Sequence, residues 1–155
     1  MEKIVGSLVG VSHHTFDTVY DLIFTTERVI AFIIQQPGDN PYRSTSMLKD
    51  VFLGSMLTKR MEQSERAKIT QVRRRRLQEI PIDELVAQHS LNFEIHYTDV
   101  TSCEITRGLF QSQLRFDASN LPTTRQAIRF TISKEQISDA QRLLELALAS
   151  KIKGK

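Results

Sequence analysis

The alternation of hydrophobic and polar positions predicts a hairpin at 16–34, around which the rest of the chain is organised. Even positions between 16 and 24 fall on one face of an extended strand, and odd positions fall on the other. The polar residues 25–28 suit a short hairpin loop. The run 29–34 is apolar on both faces, and its β-branched residues and short length favour a strand over a buried helix. The second face therefore needs its own cover, from a helix or a partner subunit.

Alternation predicts further strands at 3–12, at 91–97, at 100–107, and on either side of a loop at 118–122. Gly6 and Gly10 in the first of these allow a bend or a close backbone approach. A bulge is expected near Thr101 and Ser102, because Val100 is out of phase with the apolar positions that follow. The core-facing residues of the last two strands are predicted to be Phe110, Leu114, Phe116, Ile128, Phe130 and Ile132.

Two helices complete the regular pattern. Ser133 and Gln136 match a capping box at the start of a helix over 133–149. The apolar face of this helix consists of Ile137, Ala140, Leu143, Leu144, Ala147 and Leu148. Pro81 suits the first turn of a short helix at 81–89. The chain is thus predicted to be one mostly β domain of the α+β class over 1–155. It has seven strands, with a helical insertion at about 37–90 between the third and the fourth.

Within that insertion, a helix is predicted to be apolar nearly all round. Its hydrophobic residues include Met47, Leu48, Val51, Phe52, Met56 and Leu57. A helix of this kind is buried or docked between subunits. It either covers the outer face of 29–34 or meets the same helix of a neighbouring subunit, so these residues are the candidate assembly surface. A membrane-surface anchor is the alternative, since Lys59 and Arg60 follow directly.

Charge is distributed unevenly along the chain. Residues 43–76 contain ten basic and three acidic residues, a net +7, whereas the rest of the chain carries −4. The strongest local signal is the run Arg73, Arg74, Arg75 and Arg76, a candidate anion-binding site for nucleic acid or an anionic bilayer. The alternative is a solvated helix end. No aromatic residue lies between 59 and 77 to stack on bases.

The remaining composition argues against catalysis. The 40% hydrophobic and 25% charged fractions are ordinary for a soluble globular protein. The single cysteine, Cys103, is expected to face the core, and the four histidines lack the spacing of a zinc site. No nucleotide-binding, nucleophile or metalloprotease motif occurs. No apolar run approaches the ~20 residues of a membrane-spanning helix. We therefore expect a cytoplasmic protein, or one peripheral to a membrane, with no metal, no cofactor and no small-molecule substrate.

The order of these elements resembles the pleckstrin-homology-like (PH-like) domains of bacteria and archaea. The stretch 20–32 is similar to that family's second hairpin, in which a Thr-x-x-Arg turn follows an apolar strand. The stretch 93–100 is similar to its later I-x-Y-x-D-I strand, and the helix 133–149 corresponds to the helix that caps the fold.

The resemblance implies a bent seven-stranded sandwich or partial barrel that serves as a binding or assembly module. Some bacterial members look like ring-forming oligomers. Eukaryotic relatives grip lipid phosphates with basic residues around the first hairpin loop, whereas the loop 11–15 here has no Lys or Arg. We expect a non-catalytic module that binds itself or another protein through exposed strand edges and the helical arm 44–79. Peripheral binding to an anionic membrane or nucleic acid is the alternative.

Overall fold

The computed structural model describes residues 1–13, 18–35, 75, 79–123 and 125–152. The strands are β1 (Ile4–His13), β2 (Thr18–Thr25), β3 (Arg28–Gln35), β4 (Phe93–His96), β5 (Val100–Thr106), β6 (Ser112–Ala118) and β7 (Ala127–Ile132). Helix α1 (Ile82–Leu85) runs into a 3₁₀ turn at Val86–Gln88. Helix α2 (Gln136–Leu148) is followed by a second 3₁₀ turn at Ala149–Lys151.

The seven strands form one antiparallel sheet in the order β4-β3-β2-β1-β7-β6-β5. The predicted α+β class is therefore confirmed. The end strands β4 and β5 do not pair with each other in the described part of the chain, so the sheet is not closed into a barrel. The short helix predicted from Pro81 is present as α1, whereas the predicted helix at 47–57 lies outside the described residues.

The main core lies on one face of the sheet. It contains the even positions of β2 (Tyr20, Leu22 and Phe24), the odd positions of β3 (Val29, Ala31 and Ile33), and the predicted core residues of β6 and β7. Aromatic rings cluster near its centre, where Tyr20 meets Phe93 edge to face at 5.4 Å between ring centroids. The predicted burial of Leu114, Phe116, Ile128, Phe130 and Ile132 is confirmed.

The second face of the β2–β3 hairpin is also covered, as its sequence requires. Ile23 and Ile30 are buried there against Leu85 of α1. Asn92 links α1 to β3 by hydrogen bonds. Its Oδ1 accepts the Ile33 N–H at 2.7 Å, and its Nδ2 donates to the Leu85 carbonyl at 2.9 Å. The cover seen among the described residues is thus α1 and its flanks.

Helix α2 packs across β1 and β5 with the predicted apolar face. Ala140, Leu143, Leu144 and Leu148 are buried, and Ile137 and Ala147 pack against the same core. Gly6 permits the close approach, because a Cβ at that position would lie 2.6 Å from Leu143 Cδ2. The prediction that Ser133 caps the helix is wrong, because the helix begins at Gln136 and its N-cap, Glu135, makes no side-chain cap hydrogen bond. The Gln136 Oε1 accepts the Ser133 N–H at 3.0 Å in the turn before the helix.

Two irregularities in the strands match the sequence. The register of β5 on β6 shifts between Val100 and Ser102, which confirms the predicted bulge. The register of β1 on β2 shifts between Leu8 and Val11, where Gly10 adopts a positive φ of 70°. The buried Asp21 carboxylate accepts the Gly10 N–H at 2.9 Å and so stabilises this second bulge.

The hairpin turn is tighter than predicted. The strands extend through Thr25 and Arg28, so only Thr26 and Glu27 form the turn. Thr25 explains the difference, because its Oγ1 accepts the N–H groups of Glu27 and Arg28 at 3.1 and 2.9 Å. The threonine hydroxyl thus satisfies two backbone N–H groups of the turn, which in a longer loop would be hydrogen-bonded to water.

The prediction that Phe110 faces the core is wrong. Strand β6 begins only at Ser112, and Phe110 lies before it in the loop 107–111, where 93% of the residue is exposed. The backbone folds sharply here, since a Cβ on Gly108 would come within 2.2 Å of the Gln111 carbonyl oxygen. This turn removes Phe110 from the alternation that Leu114 and Phe116 follow.

Candidate functional site

A polar recess lies on the face of β5, β6 and β7 opposite the main core. Its volume is about 560 Å³, within the range of small-molecule sites, and it is open to solvent. The side chains that give it chemical character are Thr101, Ser102, Arg115, Asp117, Arg125 and Gln126. The β5 bulge contributes to the site by turning Thr101 and Ser102 toward it.

Asp117 organises the floor of the recess. Its Oδ2 accepts the Ser102 hydroxyl at 2.7 Å, and its Oδ1 accepts Arg115 Nε at 2.9 Å. Arg115 Nη2 also lies 2.8 Å from Oδ1. Arg115 Nη1 is 3.8 Å from Glu104 Oε1, which is beyond hydrogen-bond distance. The guanidinium is therefore hydrogen-bonded on one edge, and its Nη1 forms an ion pair with Glu104 without a hydrogen bond.

The rim of the recess is positively charged. Arg129 of β7 lies directly opposite Arg115 in the strand register. Both Arg125 and Arg129 are exposed, and among the described residues no carboxylate lies within ion-pair distance of either. Among the residues that line the recess, Arg115 and Arg125 outnumber Asp117, so its lining carries a net positive charge.

A second exposed feature is apolar. Leu109 and Phe110, in the loop 107–111 between β5 and β6, are 86% and 93% exposed. Two adjacent large hydrophobic side chains at a loop tip stand apart from the isolated exposed Leu146 on α2, which is 64% exposed. We call residues 107–111 the apolar loop. Sequence alternation placed Phe110 in the core, so this surface was missed. The Gly108 turn signal two residues earlier could have revealed it.

A cluster of charged side chains around Arg28 has a structural role. The Arg28 guanidinium donates to Glu2 at 2.9 Å and to Asp83 at 2.8 Å, and it also binds Glu94. Burial alone would lower the pKa of Arg28, but the hydrogen bonds to these three carboxylates outweigh it and raise the pKa. The cluster joins the N-terminal segment, α1 and β4 to the hairpin.

Metal-ligating side chains and the cysteine were the remaining candidates for chemistry among the described residues. No group of three or more His, Cys, Asp and Glu side chains among them could hold a metal ion. Cys103 is fully buried, and burial raises the pKa of its thiol to about 11. The predicted core position of Cys103 is confirmed, and its thiol stays protonated near neutral pH.

Most of the predicted site residues fall outside the described residues. These are the candidate assembly residues Met47, Leu48, Val51, Phe52, Met56 and Leu57, together with Arg73, Arg74 and Arg76. Arg75 is described, and it is helical and exposed. In the described part of the chain, no helix is long and apolar enough to cross a membrane.

Comparison of the chain with protein-family models, with curated proteins and with solved structures found no match.

Proposed function

We propose that this chain is a non-catalytic PH-like binding module that associates with a second copy of itself through the apolar loop. The exposure of Leu109 and Phe110 carries this proposal. Burying a large apolar side chain contributes about 1.5–3 kcal/mol. Two such side chains exposed to water at a loop tip would therefore gain free energy on contact with a partner, which indicates that the loop is a binding surface.

The position of the loop favours a second copy as the partner. Strand β5, which leads into the apolar loop, is an end strand of the sheet. Among the described residues, Ile152 bridges the outer edge of this strand at Cys103. The backbone groups of an end strand can pair with a strand of another chain. In a two-fold dimer each contact occurs twice, so a small apolar patch contributes twice to the stability of the interface.

Two features of the fold support the PH-like part of the proposal. Consecutive strands pair on both sides of the β1–β7 contact, and α2 packs across β1 and β5 as a closing helix would. The Thr-x-x-Arg turn has a structural basis in the hydrogen bonds of Thr25. The sheet order and the position of α2 therefore support the proposed PH-like module.

The proposal is tested by measuring solution mass with light scattering after size-exclusion chromatography, over a range of protein concentrations and at low and high salt. We expect the wild-type chain to form a defined multimer that salt does not dissociate. The double substitution Leu109→Ser, Phe110→Ser should shift the mass to that of a monomer. Because both side chains are exposed in the single chain, the variant should remain folded, and its melting temperature should fall only by the stabilisation that association itself provides.

Leu146→Ser provides the matched control, since Leu146 is also an exposed leucine but lies on α2. This control should keep the wild-type mass. A double variant that retains the multimer, or a wild-type chain that stays monomeric at every concentration, contradicts the proposal.

The second candidate function is peripheral binding to an anionic membrane or to nucleic acid. Arg75 is exposed on a helix, which favours the basic run as a contact surface. Such binding weakens steeply with added salt. Cosedimentation with anionic vesicles and a gel-shift assay with duplex DNA, both at low ionic strength, test this function. Replacing Arg73, Arg74, Arg75 and Arg76 by Gln should abolish the binding.

A further inference from the structure

The polar recess over β5–β7 is distinct from the apolar loop. Its floor is already ordered by internal hydrogen bonds, since Ser102 and Arg115 both donate to the Asp117 carboxylate. Thr101 adds a third bond, from its Oγ1 to the Asp117 carbonyl at 3.1 Å. A ligand would therefore meet side chains that are already oriented, and little ordering entropy would oppose binding.

Arg115 is held in an orientation that suits an anion. Asp117 binds its Nε and Nη2 edge, which leaves Nη1 on the side away from that carboxylate. Glu104 Oε1 forms an ion pair with Nη1 at 3.8 Å, which is too far for a hydrogen bond and leaves the Nη1 protons free to donate to a ligand. An oxyanion that approached Nη1 would gain a charge-assisted hydrogen bond and would leave the Asp117 contact in place.

The neighbouring arginines add positive charge to this face of the sheet. Arg115 and Arg129 lie directly opposite each other across β6 and β7, and like charges at such positions destabilise a sheet. Arg125 adds a third guanidinium on the rim. A bound oxyanion would offset this repulsion and could be gripped by the planar fork of Arg125.

We propose that this recess binds the phosphate group of a small phosphorylated ligand, with Arg125 and Arg115 Nη1 as its cationic contacts. The recess volume of about 560 Å³ accommodates a ligand of sugar-phosphate size. This inference is independent of the proposed self-association, because none of the side chains lining the recess belongs to the apolar loop.

Inorganic phosphate and glycerol 3-phosphate are the probes. Binding is followed by the chemical shifts of the arginine Nε–H groups and the backbone amides in ¹⁵N-labelled protein, at constant ionic strength set with NaCl. We expect saturable shifts at Arg115, Arg125 and the β5 bulge. Arg125→Gln should weaken binding at least tenfold. Arg142→Gln, which removes an exposed arginine on α2, should leave binding unchanged.

Equal binding by Arg125→Gln and the wild type overturns the proposal, as does a response to phosphate no stronger than the response to chloride. Vesicles containing phosphatidic acid distinguish the source of the phosphate. Saturable binding of glycerol 3-phosphate supports a free ligand. Binding to the vesicles alone, with no response to the two soluble probes, overturns it in favour of a lipid headgroup.

Discussion

At the scale of single residues, Thr25 determines the geometry of the organising hairpin. Its side chain is buried, and its Oγ1 accepts two backbone N–H groups of the turn while bonding to the Glu2 carboxylate. Replacing Thr25 by Val keeps the shape but removes the hydroxyl. We expect a loss of about 1–2 kcal/mol in the free energy of unfolding, measured with urea. Thr25→Ser retains the hydroxyl and should recover most of the loss. Equal stability of the two variants would contradict this role.

Cys103 gives a second prediction at this scale, for high pH. Burial raises the pKa of its thiol from 9.0 to about 11 in the folded protein. The unfolded chain therefore loses the thiol proton first as the pH rises. The stabilising contribution is complete below about pH 9 and is lost as the pH rises toward 11.

Comparison with Cys103→Ala isolates this contribution, because buried tyrosines are common to both proteins. Between pH 8.5 and 10, the unfolding free energy of the wild type should fall more steeply than that of Cys103→Ala. Parallel pH profiles would show that the thiol ionises equally well in the folded state. In the native protein at pH 8, Cys103 should also react slowly with a thiol reagent and rapidly after addition of urea.

At the scale of elements, the alternation of hydrophobic and polar residues located the strands, because burial of one face of a strand requires a hydrophobic residue at every second position. Leu114 and Phe116 follow that rule and were predicted correctly. Phe110 has the same phase but precedes the strand, so a turn that periodicity does not encode removed it from the core. The recess was not predicted for a related reason. Ser102, Arg115 and Arg125 are distant in sequence, and only the register of β5, β6 and β7 brings them together.

The packing of α1 against the second face of the β2–β3 hairpin is expected to stabilise the fold. Leu85 of α1 is fully buried against Ile23 and Ile30, whereas its neighbour Glu84 is exposed. Leu85→Ala should lower the free energy of unfolding by about 2–5 kcal/mol, because it leaves a cavity in this cluster. Glu84→Ala, in the same short helix, should change it by less than about 0.5 kcal/mol. Urea unfolding measures both, and similar losses would show that α1 does not close the face.

At the scale of the whole molecule, residues 151–152 contact the end strand β5 and cover part of its outer edge. Ile152 forms a parallel bridge with Cys103 on the outer edge of β5, and Lys151 Nζ donates to the Tyr97 carbonyl beside it. An uncovered edge strand readily pairs with another chain. The segment therefore limits how much of β5 a second copy can reach.

Deleting residues 149–155 should uncover the β5 edge and shift self-association to lower protein concentrations, as measured by light scattering. Deleting only 153–155 keeps Ile152 and should leave the association unchanged. Far-UV circular dichroism verifies that the shortened chain remains folded. Adding Leu109→Ser and Phe110→Ser to the shortened chain then separates the two contacts. Association that persists arises from the strand edge, and association that disappears requires the apolar loop as well. A folded shortened chain with wild-type association would show that Ile152 does not restrict access to the β5 edge.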